Sequence, residues 1–367
     1  MSSINRRTTR LASVAALTLA VSSCSLGGGT ADDTADEGTG STAGPADKQV
    51  VLATHESWNV PAKLMKQFTR ETGYEVTVEA AGDAGALTNK LVLTKGSPIG
   101  DVVFGVDNTF ASRAVEEGVF ADHEPADQPA SASMFEMPDQ AGNEALTPVD
   151  FGDVCMNVDD VWFQDEGIEP PKNLADLTEK TYQDLFVTPG ATTSSPGLAF
   201  LLATIAEFGE DGWEQYWEEL MANGTRITSG WTDAYTVDFT AGGGDGDRPI
   251  VLSYASSPPF TIPEGGTEPT TSALLDTCYR QVEYAGVLEG AENPEGAQAF
   301  VDFMVGPDFQ AALPENMYVF PVDESVELPD LWARWAKVPD QPLSVDPAEV
   351  AANRDEWLTT WGEITTR

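Results

Sequence analysis

The chain has 367 residues, and 19 basic side chains against 60 acidic ones give it a formal net charge of −41 at pH 7. That balance excludes a nucleic-acid surface as the default reading and favours a cationic solute over an anionic one. After the first 25 or so residues no hydrophobic stretch approaches the roughly 20 residues that a membrane-spanning helix needs.

The N-terminus opens with Arg6, Arg7 and Arg10, followed by an uncharged apolar run from Leu11 to Val21. A basic segment before a short apolar one predicts an export signal over residues 1–23, too short for a permanent span. The run ends in Val21-Ser22-Ser23-Cys24, which resembles the bacterial lipobox, whose cysteine receives a diacylglycerol and becomes the new N-terminus. The alternative is an ordinary signal with a chance cysteine. Two acyl chains anchor stably, so Cys24 predicts a membrane attachment on the outer face of the cell. Residues 24–48 are dominated by Gly, Ala, Thr, Ser and Asp without an aromatic side chain, and so predict a flexible tether.

Folded structure should begin near Gln49. The remaining roughly 320 residues exceed what one core usually holds, which predicts two lobes. Gln49 to Thr54 is a short apolar run expected to form a strand covered on both faces. Pro61 starts a helical pattern with Leu64, Met65 and Phe68 on one face, closed by Gly73. Val76 and Val78 alternate with polar residues as a second strand, and Asp101 to Asp107 reads as a third, buried one. This alternation predicts an α/β lobe with a largely parallel sheet over 49–152.

The second lobe is expected over 153–278. It holds the turn Thr192 to Pro196, the helix Leu198 to Phe208 and the strand Pro249 to Tyr254. Residues 279–367 should return to the first lobe and add C-terminal helices. One of them has Asn293 as N-cap and Pro294 in the first turn, with Ala297, Phe300, Val301 and Met304 at helical spacing. Ligands of such α/β lobes bind beyond the carboxyl ends of strands, here in the cleft between the lobes. With Cys24 lipidated, Cys155 and Cys278 remain. An oxidising compartment predicts one disulfide between them, with two buried free thiols as the alternative.

Catalytic patterns are absent: there is no G-x-S-x-G, C-x-x-C, H-E-x-x-H or P-loop, and only His55 and His123 could act as a base near neutrality. Asp245-Gly-Asp247 lacks calcium-loop spacing, so no metal and no cofactor are expected. The aromatic residues beside turns say more. Trp231 stands in Ser-Gly-Trp-Thr-Asp-Ala-Tyr, Tyr254 in Leu-Ser-Tyr-Ala-Ser-Ser-Pro, and Tyr318 lies near Phe320. Aromatic faces with carboxylates nearby suit a flat organic cation, each good contact being worth ~0.5–2 kcal/mol.

Six segments, in order, carry a resemblance: Asp101-Val-Val-Phe-Gly-Val-Asp-Asn108, Pro148-Val-Asp-Phe-Gly152, Thr193-Ser-Ser-Pro-Gly-Leu198, Gly230-Trp-Thr-Asp-Ala-Tyr235, Leu252-Ser-Tyr-Ala-Ser-Ser-Pro258 and Pro347-Ala-Glu-Val-Ala-Ala352. From about Val50 onward the chain resembles the thiamine-binding proteins of bacterial ABC importers. The resemblance implies a two-lobed periplasmic-binding-protein type II fold with a hinged cleft, no enzymatic activity, thiamine or a thiamine phosphate as ligand, and an ABC permease as partner. It also implies a monomer that binds no nucleic acid. Trp231 and Tyr254 fall where that family places aromatic walls, and Asp83 where it places a carboxylate for the aminopyrimidine. Ser194 and Ser195 would hold the hydroxyl or phosphate tail at a helix start. Ser257 and Tyr318 follow as further candidates. His55 stands where the family pattern has a tyrosine, and Tyr318 where it has a tryptophan, so each keeps a ring. The alternatives are a polyamine or other organic-cation binder of the same fold, or a cell-surface enzyme.

Overall fold

In the computed structural model, which describes residues 48–137 and 145–366, strands and helices alternate through the first third of the chain. The export signal, Cys24 and nearly all of the tether lie outside the described residues. Strand β1 (Gln49–Thr54) leads into the helix Ala62–Thr72. That helix begins behind Pro61, whose fixed φ suits a first turn, and ends at Gly73, whose φ of 82° lets its amide return to the Thr69 carbonyl. Its buried Leu64 and Phe68 are those the apolar spacing indicated. Strand β2 (Glu75–Ala80) pairs parallel with one edge of β1, and β3 (Val102–Asp107), buried at every residue, pairs parallel with the other.

Strands β4 (Phe120–Ala121), β5 (Thr147–Asp159), β6 (Phe186–Pro189), β7 (Arg226–Thr228), β8 (Ile250–Tyr254), β9 (Thr271–Ala273), β10 (Tyr279–Leu288) and β11 (Phe320–Pro321) complete one continuous sheet. Its order is β2-β1-β3-β10-β5-β8-β6-β7, with β4 joined to β10, and β9 and β11 to β5. The sheet is parallel only towards its two ends, in β2–β1–β3 and in β8–β6–β7. Its centre, through β10, β5 and β8, is antiparallel, whereas the first three strands pair parallel, as their alternation with helices indicated. The cause is the length of two strands. Residues Thr147–Val154 of β5 pair with β10, while Val154–Val158 pair with β8. These long strands thus carry the chain between the two parallel ends. A disulfide joins Cys155 on β5 to Cys278, the residue before β10, and both cysteines are fully buried.

Helices cover both faces of the β2–β1–β3 end. One core packs Phe68, Phe104, Phe300 and Phe309; the other packs Leu87, Leu91, Val103 and Tyr284. The helix Pro294–Met304 is capped by the Asn293 side chain, whose Oδ1 accepts the Gly296 amide at 2.9 Å. A third core gathers Leu198, Phe200, Leu202, Trp213, Trp217 and Ile250. The last helix, Pro347–Thr365, adds Val350, Trp357, Trp361 and Ile364 to this third core, with Trp361 edge-on to Trp217 at 5.6 Å. No helix among the described residues is long and apolar enough to cross a membrane.

Candidate ligand-binding site

A cavity of about 420 Å³ opens where β1 and β8 end and where β10 crosses the sheet. Of the residues singled out in the sequence, His55, Asp83, Ser195, Trp231, Tyr254, Ser257 and Tyr318 line it. Ser194 does not. It stands one residue away as the N-cap of the helix Ser195–Phe208, and the Oγ atoms of both serines are buried without a hydrogen-bond partner. His123, the other histidine, pairs with Asp302 at 2.8 Å and is not part of the cavity lining.

Trp231 is held on two sides. Its amide donates to Asp83 Oδ2 at 2.8 Å and its indole N–H to Ser253 Oγ at 3.0 Å, with Ser257 Oγ 2.8 Å further on. A short π-helical stretch, Asp233–Asp238, follows, and its wide turn sets the Tyr235 ring parallel to the indole at 5.0 Å and 18°. Phe260 closes the aromatic wall, lying 5.9 Å from Tyr235 and 5.4 Å from Tyr318.

Asp83 does more than the sequence suggested. Oδ1 accepts the Ala84 amide at 2.6 Å and so caps the helix Ala84–Thr94, while Oδ2 anchors Trp231. Each oxygen keeps a second lone pair for a donor in the cavity. Tyr254 donates its hydroxyl to Gln281 Oε1 at 3.2 Å. Its ring rests on Gly152 of β5, where a Cβ would come within 2.7 Å of the ring, so the glycine makes room for the tyrosine. Tyr318 carries a φ of 57°, unusual for a residue with a side chain, and is held there by Ser256 Oγ donating to its carbonyl at 2.6 Å.

His55 lies over Gly105 of β3, where any Cβ would strike the imidazole. The Ser57 amide donates to His55 Nδ1 at 3.2 Å, which places the ring proton on Nε2, 3.2 Å from Glu283 Oε1. Burial alone would lower the His55 pKa, but the Glu283 carboxylate, with Asp83 and Asp107 behind it, holds it above the ordinary value.

Glu283 and Tyr235 were missed in the sequence. Glu283 carried no signal among 60 acidic residues. Its spacing from Gln281 in β10 could have given it away, since alternate strand residues share a face and both line the cavity. Tyr235 stands four residues after Trp231, a spacing that stacks side chains on one helical face.

Hydroxyls, carboxylates and aromatic faces converge here. The arrangement offers the stacking faces and acceptors that a flat, cationic organic solute would need. Comparison with known proteins places the chain in a family. Residues 97–247 match the model of the family described as bacterial extracellular solute-binding protein. The thiamine-binding periplasmic protein of Escherichia coli strain K12 is 31% identical over 311 residues, covering 84% of this chain and 90% of that one. Its counterpart in Brucella melitensis is 30% identical, with 89% and 94% covered. Among solved structures, a periplasmic thiamin binding protein superposes with a TM-score of 0.75 at 31% identity, covering 87% of this chain and 96% of its own. The fold and site are those of an extracytoplasmic solute-binding protein of the periplasmic-binding-protein type, a transport-associated class and not an enzyme. The chain belongs to the family of the periplasmic thiamine-binding proteins.

Proposed function

We propose that this chain captures thiamine, or one of its phosphates, outside the cytoplasm and delivers it to the permease of an ABC importer. The observation that carries this reading is the aromatic wall of Trp231, Tyr235 and Tyr254 beside the carboxylates of Asp83 and Glu283 in one cavity. Trp231 and Tyr254 stack on the ligand rings, Asp83 accepts from the aminopyrimidine, and Tyr318 closes the mouth. The unpartnered hydroxyls of Ser194 and Ser195 at a helix start suit a hydroxyl or phosphate tail. His55 and Ser257 complete the lining.

The two ends of the sheet form the two lobes, and β5 and β10, which run between them, act as the hinge that closes on the ligand. Calorimetric titration of the purified protein with thiamine, spermidine and ferric citrate tests this reading. Thiamine binding without the other two supports it, and a preference for spermidine would make the protein a polyamine binder.

The protein works as a monomer tethered to the membrane through Cys24. Cys24→Ser is expected to leave thiamine affinity unchanged and to release the protein into the medium, since two acyl chains are what hold it. A variant that still fractionates with membranes would count against the lipid anchor.

A further inference from the structure

Glu283 sits opposite two other acids at once. In the register of the sheet it pairs with Asp107 of β3 on one side and with Asp150 of β5 on the other. Directly paired residues of adjacent antiparallel strands share a face with their Cβ atoms about 4.5–5.5 Å apart, and like charges placed so repel. Asp107 and Asp150 are fully buried and Glu283 nearly so, and only Glu283 reaches the cavity.

The groups packed around this row supply one compensating charge at most, the His55 imidazole beside Glu283. From the end of β1, His55 presents its N–H to Glu283. From β8, Tyr254 reaches Gln281, which shares the cavity with Glu283, and Asp83 contributes further negative charge from the start of its helix. Thr109 donates its amide and hydroxyl to Asp107 Oδ1, whereas Asp107 Oδ2 is buried with no hydrogen bond. Arg280, the nearest arginine along β10, is turned away: it pairs with Asp153 at 2.8 and 3.0 Å and lies over Phe151. Among the described residues no lysine or arginine forms an ion pair with any of the three acids. Nor is any group of three or more His, Cys, Asp and Glu among them placed to hold a metal ion.

Three buried carboxyls beside a single imidazole cannot all ionise, so Asp107 and Asp150 are left to hold protons. Burial, opposed by the Thr109 bonds and reinforced by Glu283, brings Asp107 to about 7. Burial and the neighbouring Glu283 push Asp150 well above the usual range. Taking thiamine as the ligand, we propose that Glu283 is the counter-charge of its cationic ring and that the row Asp107–Glu283–Asp150 gives up a proton to solvent when the cation enters. The site exchanges a proton for a monocation and in this way discriminates against neutral rings of the same shape.

The direction of the pH effect follows from the exchange. The empty protein holds more protons than the loaded one, so affinity for the cation rises with pH across the neutral range and approaches tenfold per unit at full coupling. The test is calorimetry of the wild-type protein at about pH 7.5, above the range in which the aminopyrimidine of thiamine takes up a proton, in two buffers of different ionisation enthalpy. A buffer-dependent heat corresponding to roughly a quarter to one proton released per thiamine is expected. An analogue with an uncharged ring in place of the thiazolium should release none and bind about tenfold or more weaker. Glu283→Gln should abolish that preference for the cation, and Asp107→Asn should reduce the proton release. Identical heats in both buffers with wild type, or an unchanged preference in a folded Glu283→Gln protein, would overturn the proposal. Thiamine that fails to bind the wild type at all would overturn the ligand assignment on which it rests.

Discussion

Trp231→Ala is expected to weaken thiamine binding by about 1–3 kcal/mol, roughly a five- to 150-fold rise in Kd. The indole is the central plate of the aromatic wall, supported from behind by the parallel Tyr235 ring and fixed in rotation by its bond to Ser253. Removing it takes away ring stacking and cation–π attraction together, and leaves Ser253 with only Ser257 as partner. The side chain is half-buried at the cavity, so the loss of fold stability should be small compared with the loss of affinity. Calorimetry on the variant, with its urea midpoint as the control, separates the two. Unchanged affinity in a folded variant would take Trp231 out of the site.

Replacing both cysteines, Cys155→Ala with Cys278→Ala, is expected to have the larger effect on stability. The bridge closes a loop across 123 residues of sequence, and the chain-entropy account gives about 4–5 kcal/mol for loops of that size, an upper figure because denatured chains retain structure. The sulfurs are packed with Ala255 at the point where β5 and β10 run together, so two alanines also leave a small void. Urea unfolding of the variant against wild type measures the loss directly. A difference below about 1 kcal/mol would mean that the denatured chain is already compact without the bridge.

The elements most legible in the sequence were those whose local chemistry is unambiguous. β1 and β3 read as strands because helices cover both faces and leave no polar position in the middle of the run. Pro61, Gly73 and Asn293 marked helix ends because backbone geometry and capping demand those residue types there. β5 was illegible as a central strand. It carries Asp150, Asp153, Asn157 and Asp159, all buried, and no rule of apolar patterning anticipates that. Much of that burial has a cause only the fold supplies, since Asp153 meets Arg280 and the Asn157 side chain donates to the Tyr254 carbonyl across the sheet. The candidate site divides in the same way. Its aromatic residues stood out beside glycines and serines, whereas its acids were hidden among many others.

The position of the last helix has a consequence for how the chain folds. The core around Trp217 is closed by Val350, Trp357, Trp361 and Ile364, which stand far along the chain from it. The sheet is likewise split until β10, late in the sequence, is laid between β3 and β5. Both closures depend on contacts of long sequence separation, so the entropy of closing long loops must be overcome before those contacts form, and folding is expected to be slow.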